Sequence, residues 1–136
     1  KNFDMNTTSV IHDIKPIILT TGLYDLLKEQ IRTQRLSKYN EEKLALELRG
    51  AQQILKRELP PNVVTVNKKV RVALLNSGEE RVYNFVATSK AKRKNNTTSI
   101  LDPVAIATLG HSEGAELKWE MPEGLEVIRI VEVSDL

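Results

Sequence analysis

The chain has 136 residues, of which 40% are hydrophobic and 28% charged, a composition typical of a globular protein that buries a core. The formal net charge of +2 is too small to predict nucleic-acid binding by itself, and the absence of cysteine excludes disulfides and thiolate chemistry. No apolar run approaches the ~20 residues that cross a membrane, so we expect a cytoplasmic protein without a membrane partner.

Residues 1–16 are polar and aperiodic, lack the apolar stretch of a secretory signal, and predict a loosely ordered arm. Ile17–Thr20 predicts a short extended lead-in. Thr20 or Thr21 then caps a first helix, because a hydroxyl accepts hydrogen bonds from the free backbone N–H groups of a first turn. An apolar stripe with helical spacing predicts that this helix extends to about Leu36. The stripe comprises Leu23, Leu26, Leu27 and Ile31.

A second helix is predicted to start at Ser37 or Asn40 and to end at Pro60-Pro61, since proline cannot donate the next helical hydrogen bond. Its apolar residues have the narrow spacing of a coiled-coil seam. They are Leu44, Leu48, Ala51, Leu55 and Leu59. Residues 17–60 therefore predict an antiparallel helical hairpin, a short coiled coil.

The pattern changes after Pro61 to alternating β-branched residues, which predict strands. One pair of strands, VVTVNKKVRVALL and RVYNFVAT, flanks the turn NSGEE. A second pair, AELKWEMP and LEVIRIVEV, flanks a turn at Pro122–Gly124, and a short helix between the pairs begins near Pro103 and stops at Gly110. The predicted fold is α+β, with the hairpin followed by an antiparallel sheet and one short helix over residues 61–136.

Catalytic motifs and metal-ligand spacings are absent from the sequence, so we expect neither a metal site nor a cofactor. His12 and His111 share no ligand spacing with each other or with a carboxylate cluster. Trp119 alternates with Leu117 and Met121, which favours a position in the sheet core over a partner-binding role.

The densest charge lies in the run Lys90-Ala91-Lys92-Arg93-Lys94. Such a run can contact phosphate groups or can simply keep a loop solvated. No aromatic residue interleaves with it to stack bases, as single-strand binders generally require. We favour the solvated loop on that absence, and phosphate contact is the alternative.

The stretch Ser99–Gly124 resembles the end of the Gre family of bacterial transcript-cleavage factors. The shared frame is a strand, an Asp/Ser-Pro step, a helix with Ala-x-Leu-Gly, a glycine turn and a strand that ends in Pro-x-Gly. It is carried by Ser99, Ile100, Pro103, Ala107, Leu109, Gly110, Gly114, Trp119, Pro122 and Gly124. Val63–Val72 is similar to the opening strand of the Rnk branch, which is named for regulation of nucleoside diphosphate kinase. The resemblance extends over residues 20–136.

This resemblance implies an FKBP-like C-terminal domain without prolyl isomerase activity, and RNA polymerase as the partner. Such domains grip the rim of the polymerase secondary channel while the hairpin points inward. The implied contact of the C-terminal domain comprises Asp102, Pro103, Val104, Ala105 and Ile106. Gre factors usually have Gly and then Arg where Ala105 and Ile106 stand here, so that contact differs from the family pattern.

The hairpin tip of cleavage-competent Gre factors carries Asp-Leu-Ser-Glu, whose carboxylates help to hold a cation that activates water. Arg35-Leu36-Ser37-Lys38 aligns with that motif, so Arg35 and Lys38 occupy the two acidic positions. Guanidinium and ammonium groups are donors only and cannot ligate a cation. Glu41 and Glu42 are nearby, but consecutive helical residues point about 100° apart and make poor co-ligands.

We therefore predict a non-catalytic regulator that binds RNA polymerase and meets nucleic acid only through the transcription complex. The tip contacts would come from Arg35, Ser37, Lys38, Glu41 and Glu42, and a monomer is favoured. One alternative is an active cleavage factor that uses Glu41 or Glu42 with Mg²⁺. Another is a binding module for a different protein, because a fold does not fix a function.

Overall fold

The fold, a computed structural model, is described over residues 15–136, and most of the predicted arm, with His12, lies outside this range. A helical hairpin comes first and a five-stranded sheet follows it. The hairpin region contains β1 (Ile18–Leu19), α1 (Thr21–Arg32), α2 (Lys38–Arg49) and β2 (Gln52–Gln53). The sheet region contains β3 (Lys68–Leu74), β4 (Glu79–Val86), β5 (Thr98–Ser99), α3 (Pro103–Thr108), β6 (Glu116–Met121) and β7 (Gly124–Asp135).

Hydroxyl groups cap both long helices. Thr20 Oγ1 accepts from the Leu23 backbone N–H at 3.3 Å, and Ser37 Oγ accepts from Asn40 N–H at 3.2 Å, so Thr20 and Ser37 are the caps among the predicted candidates. Helix α1 ends at Arg32 and not at about Leu36. Its end comes early because Gln34 adopts a left-handed backbone, with φ of +56°, that a right-handed helix cannot contain.

The prediction that the second helix continues to Leu59 is wrong, because α2 ends at Arg49 with Gly50 as its C-cap. Beyond the glycine the chain is extended and pairs in parallel with β1: Gln52 N–H donates to Ile17 O at 2.9 Å. Leu55, assigned to the helical seam from sequence, is 52% exposed. Each arm of the hairpin has 12 residues and a length of only about 18 Å.

The sheet has the strand order β5-β4-β3-β7-β6. The four long strands pair in antiparallel fashion, as predicted, while the two-residue β5 is added in parallel to the end of β4. A register shift in β3 between Arg71 and Val72 marks a bulge in its pairing with β7. Strand β6 is an edge strand, so one row of its backbone hydrogen-bonding groups faces away from the sheet.

The hairpin and the sheet share one hydrophobic core, to which α1 and α2 contribute their buried leucines. These are Leu23, Leu27, Leu44 and Leu48. Trp119 is the largest fully buried side chain at 1% exposure, and its predicted position in the sheet core is confirmed. The hairpin is therefore packed against the sheet. Over residues 15–136, no helix is both long enough and apolar enough to span a membrane.

Candidate functional site

The loop between α1 and α2, Thr33–Ser37, forms the hairpin tip. Arg35, Ser37 and Lys38 are exposed there, although the Ser37 hydroxyl is engaged as the α2 cap. Arg35 N–H donates to Gln30 O at 3.2 Å, which ties the loop back to α1. Within the described residues, neither Arg35 nor Lys38 forms an ion pair, so the tip presents both cations to solvent.

The acidic residues near the tip do not converge. Glu41 is half-buried and Glu42 is exposed on the first turn of α2, and as neighbours on a helix they point in different directions. Glu29 pairs with Arg32 on α1, and chiefly the hydrogen bond from Arg32 lowers the pKa of Glu29. Across residues 15–136, no group of three or more His, Asp and Glu side chains is placed to hold a metal ion.

Asn40 fixes the tip to the sheet through two hydrogen bonds. Its Nδ2 donates to Glu120 O at 2.9 Å, and its Oδ1 accepts from Glu120 N–H at 2.8 Å. The side-chain amide thus acts as a short strand partner for the free edge of β6, and Asn40 is only 4% exposed. Ser37 lies three residues earlier, so the tip extends only about 5 Å along the helix axis beyond this attachment. The sequence pattern around Asn40 indicates only a helix cap and gives no signal of this contact with β6.

A second polar contact joins the hairpin to the sheet region. Glu47 Oε2 lies 2.6 Å from Lys43 Nζ and 3.0 Å from His111 Nε2, and both the Glu47 and His111 side chains are largely buried. Burial alone would raise the pKa of Glu47, but the hydrogen bond from His111 and the charges of His111 and Lys43 outweigh it and lower that pKa. Lys43 Nζ also lies 6.0 Å from the Trp119 ring centroid.

The lowered pKa of Glu47 makes stability depend on pH. The unfolded chain takes up a proton at about pH 4.3 and the folded chain only at lower pH, so the contribution is present above about pH 5 and is lost as pH falls. We expect Glu47→Gln to lower the free energy of unfolding by about 1–2 kcal/mol at pH 7 and to flatten its decline from pH 5 to pH 3. Urea unfolding at several pH values measures both effects. Glu116→Gln, at the exposed pair with Arg129, is the control, and an equal loss there would contradict the assignment.

Helix α3 presents only part of the predicted contact segment. Asp102 Oδ1 accepts from Val104 N–H at 2.9 Å, and Pro103 occupies the first turn, so both start the helix. Val104, Ala105 and Ile106 are 2%, 0% and 2% exposed. These three side chains pack into the core and are not accessible for direct contact with a partner. The accessible part of the segment consists of the half-buried Asp102, the exposed Pro103 and the preceding Leu101, which is 41% exposed.

Comparison with known proteins identifies the class to which this architecture belongs. Residues 59–135 match the family model for the C-terminal region of the GreA/GreB transcription elongation factors. The chain therefore belongs to the GreA/GreB transcription elongation factor family, as the frame from Ser99 to Gly124 predicted.

Individual relatives place the chain within that family. It is 37% identical over 91 residues to the regulator of nucleoside diphosphate kinase of Escherichia coli (strain K12), covering 64% of this chain and 67% of the relative. It is 33% identical over 90 residues to the transcription elongation factor GreA of Helicobacter hepaticus, covering 66% of this chain but only 55% of that protein. A solved GreA/GreB structure from Nitrosomonas europaea superposes with a TM-score of 0.60 at 33% identity, covering 89% of this chain and 99% of that chain.

Proposed function

We propose that this protein is a non-catalytic regulator that binds RNA polymerase near its secondary channel. It would dock through the exposed start of α3 and hold the hairpin tip at the channel entrance. The proposal includes no enzymatic activity, no cofactor and action as a cytoplasmic monomer. It rests on membership of the GreA/GreB family, on the similarity to the regulator of nucleoside diphosphate kinase, and on the geometry of the hairpin.

The observation that carries the proposal is the short hairpin whose tip is held against the sheet. The arms are 12 residues long, and Asn40 binds the first turn of α2 to the edge of β6. A tip that extends only about 5 Å along the helix axis beyond its attachment at Asn40 cannot reach far into a channel. Its exposed charges, Arg35 and Lys38, are cations at the two positions where the cleavage motif has carboxylates. This arrangement favours occupancy of a site over metal-dependent cleavage.

Occupying the rim of the secondary channel would by itself allow the protein to regulate transcription. A factor that binds the channel rim excludes a longer-hairpin factor from the same rim in proportion to its concentration and affinity. We therefore expect it to reduce transcript cleavage by a Gre-type factor when added in excess to stalled elongation complexes. By itself it should shorten no transcripts. Cleavage that depends on Glu41 or Glu42 would overturn the non-catalytic assignment.

The docking surface is tested by a pull-down with core RNA polymerase. We expect Asp102→Ala/Pro103→Ala to lower recovery about 10-fold, which corresponds to about 1.4 kcal/mol of binding free energy. Arg35→Glu/Lys38→Glu should change recovery less than about 3-fold but weaken the inhibition of cleavage. Thermal unfolding must accompany the first variant, because it also removes the α3 cap.

The matched control for the tip variant is Lys56→Glu/Arg57→Glu, which makes the same charge change at an exposed turn distant in sequence from the tip. This control should behave as the unaltered protein in both assays. Equal loss of recovery from the tip and α3 variants would contradict the division of roles. Failure of the unaltered protein to associate at micromolar concentration would overturn polymerase binding itself.

A further inference from the structure

The loop that joins β4 to β5 carries the basic run singled out in the sequence. It consists of two short turns, Thr88–Lys90 and Arg93–Asn95, followed by Asn96 in the left-handed region with φ of +57°. From Arg81 to Leu101 the sequence contains five basic residues and no acidic one. The loop therefore concentrates positive charge in a protein whose formal net charge is only +2.

Neutral groups hold this loop in shape. Thr97 Oγ1 accepts from Lys92 N–H at 2.8 Å, which closes the loop across its base. Asn84 Nδ2 donates to Asn96 O at 2.9 Å and thereby attaches the loop to β4. The hydroxyl groups of Thr88 and Ser99 lie 2.7 Å apart. None of these bonds uses an ammonium or guanidinium group, so the loop conformation is held without ion pairs or hydrogen bonds to its cationic side-chain groups.

The four cations of the loop are Lys90, Lys92, Arg93 and Lys94, and all are exposed. Other exposed arginines on the strands have acidic partners, such as Arg71 with Glu132 and Arg129 with Glu116. Within the described residues, none of the four loop cations has such a partner. We call these four residues the basic loop. The basic loop therefore presents, within five consecutive residues, four cations that form no ion pairs in the described part of the chain.

Lys69 extends the same positive surface onto the sheet. It lies directly opposite Asn84 in the β3–β4 pairing, so the two side chains share one face, and Asn84 is the residue that holds the loop at Asn96. Lys69 is exposed and, within residues 15–136, also lacks an ion pair. The opposite face of β3 at this end carries the buried Lys68, which is neutralised by Asp135 at 2.5 Å. Lys69 therefore adds a cation that is unpaired among the described residues to the face that carries the basic loop, whereas Lys68 on the opposite face is neutralised.

We propose that the basic loop, with Lys69, is a sequence-independent binding site for the phosphate backbone of duplex DNA. A duplex presents one phosphate charge per ~1.7 Å of axis, twice the density of one strand, and so suits a compact cluster of cations. Single strands are the poorer fit, because the loop has no aromatic side chain on which bases could stack. The fixed backbone of the loop reduces the ordering cost of binding. The proposed site would add direct contact with DNA to the indirect contact expected from the sequence.

The test is binding of a fluorescent 20-base-pair duplex of mixed sequence, without polymerase, so the result is independent of the proposed regulatory function. Five phosphate contacts, four from the basic loop and one from Lys69, predict a slope of log affinity against log salt of about −4.5. Affinity should therefore fall about 500-fold between 50 and 200 mM salt. Neutralising the basic loop with Lys90→Gln, Lys92→Gln, Arg93→Gln and Lys94→Gln should reduce affinity at 50 mM salt at least 30-fold and bring the slope close to −1.

The control neutralises four other exposed cations, Arg49, Lys56, Arg57 and Lys118, and makes the same change in net charge. It should weaken binding less than about 3-fold, with unchanged thermal stability in both variants. Equal weakening by the two variants would overturn the proposal, because net charge alone would explain the binding. Absence of duplex binding at 50 mM salt would also overturn it. Tighter binding to duplex RNA, single-stranded DNA or polyglutamate of equal charge would overturn the assignment to DNA.

Discussion

Gly110→Ala is expected to lower the free energy of unfolding by about 2–4 kcal/mol, by adding backbone strain to overpacking. Gly110 has φ of +86°, which an alanine adopts only at a cost. An added Cβ would also lie 2.9 Å from Ile17 Cβ and 2.9 Å from Leu19 Cδ2, two buried side chains. Backbone bonds on both sides, Gly110 N–H to Val64 O at 3.0 Å and Ile18 N–H to Gly110 O at 3.0 Å, limit relaxation.

Two other glycines separate these contributions. Gly114 also has a positive φ, +93°, but no atom lies within 4 Å of an added Cβ, so Gly114→Ala measures backbone strain alone and should cost about 1 kcal/mol. Gly22, in α1, has neither a positive φ nor a close neighbour, so alanine there should be neutral or slightly stabilising. Urea unfolding of the three variants gives the comparison. A loss of unfolding free energy at Gly110 no larger than at Gly114 would show that the side chains of Ile17 and Leu19 do not clash with an added Cβ.

Asn40→Asp is expected to lower the free energy of unfolding by about 2–3 kcal/mol at pH 7. The substitution keeps the shape of the side chain but replaces the Nδ2 donor with an oxygen that faces the Glu120 carbonyl. A buried ionised carboxylate is then left against an acceptor, which raises the pKa of the introduced group. Because protonation restores a donor, the penalty should shrink as pH falls towards 4. The pH series of unfolding curves measures this recovery.

Asn95→Asp is the matched control, since Asn95 is exposed and forms no side-chain hydrogen bond among the described residues. It should change stability by less than about 0.5 kcal/mol at either pH. Hydrogen exchange offers a second measurement: in Asn40→Asp the amides of the first turn of α2 should exchange faster, as the hairpin tip loses its attachment to β6. Unchanged exchange there would mean that the leucines of the hairpin hold the tip without the amide.

Local patterns in the sequence determined much of this structure. Alternating β-branched residues predicted the two strand pairs, the hydroxyl groups of Thr20 and Ser37 fitted the caps, and Pro103 and Gly110 bounded the short helix. The spaced frame from Ser99 to Gly124 also identified the family. These elements can be predicted from the sequence because the interactions that stabilise them, in caps, turns and alternating faces, join residues only a few positions apart.

The tertiary structure alone decided where the hairpin ends and how it is held. Helix α2 stops at Gly50 because the extended chain after it finds hydrogen-bond acceptors on β1, more than 30 residues earlier. Asn40 meets Glu120 across 80 residues, and Glu47 meets His111 across 64. The same long-range packing buries Val104, Ala105 and Ile106. No local pattern predicts such partners. An asparagine that caps a helix and an asparagine that binds a strand edge have the same local sequence signature, and only the folded chain brings the strand edge within hydrogen-bonding distance.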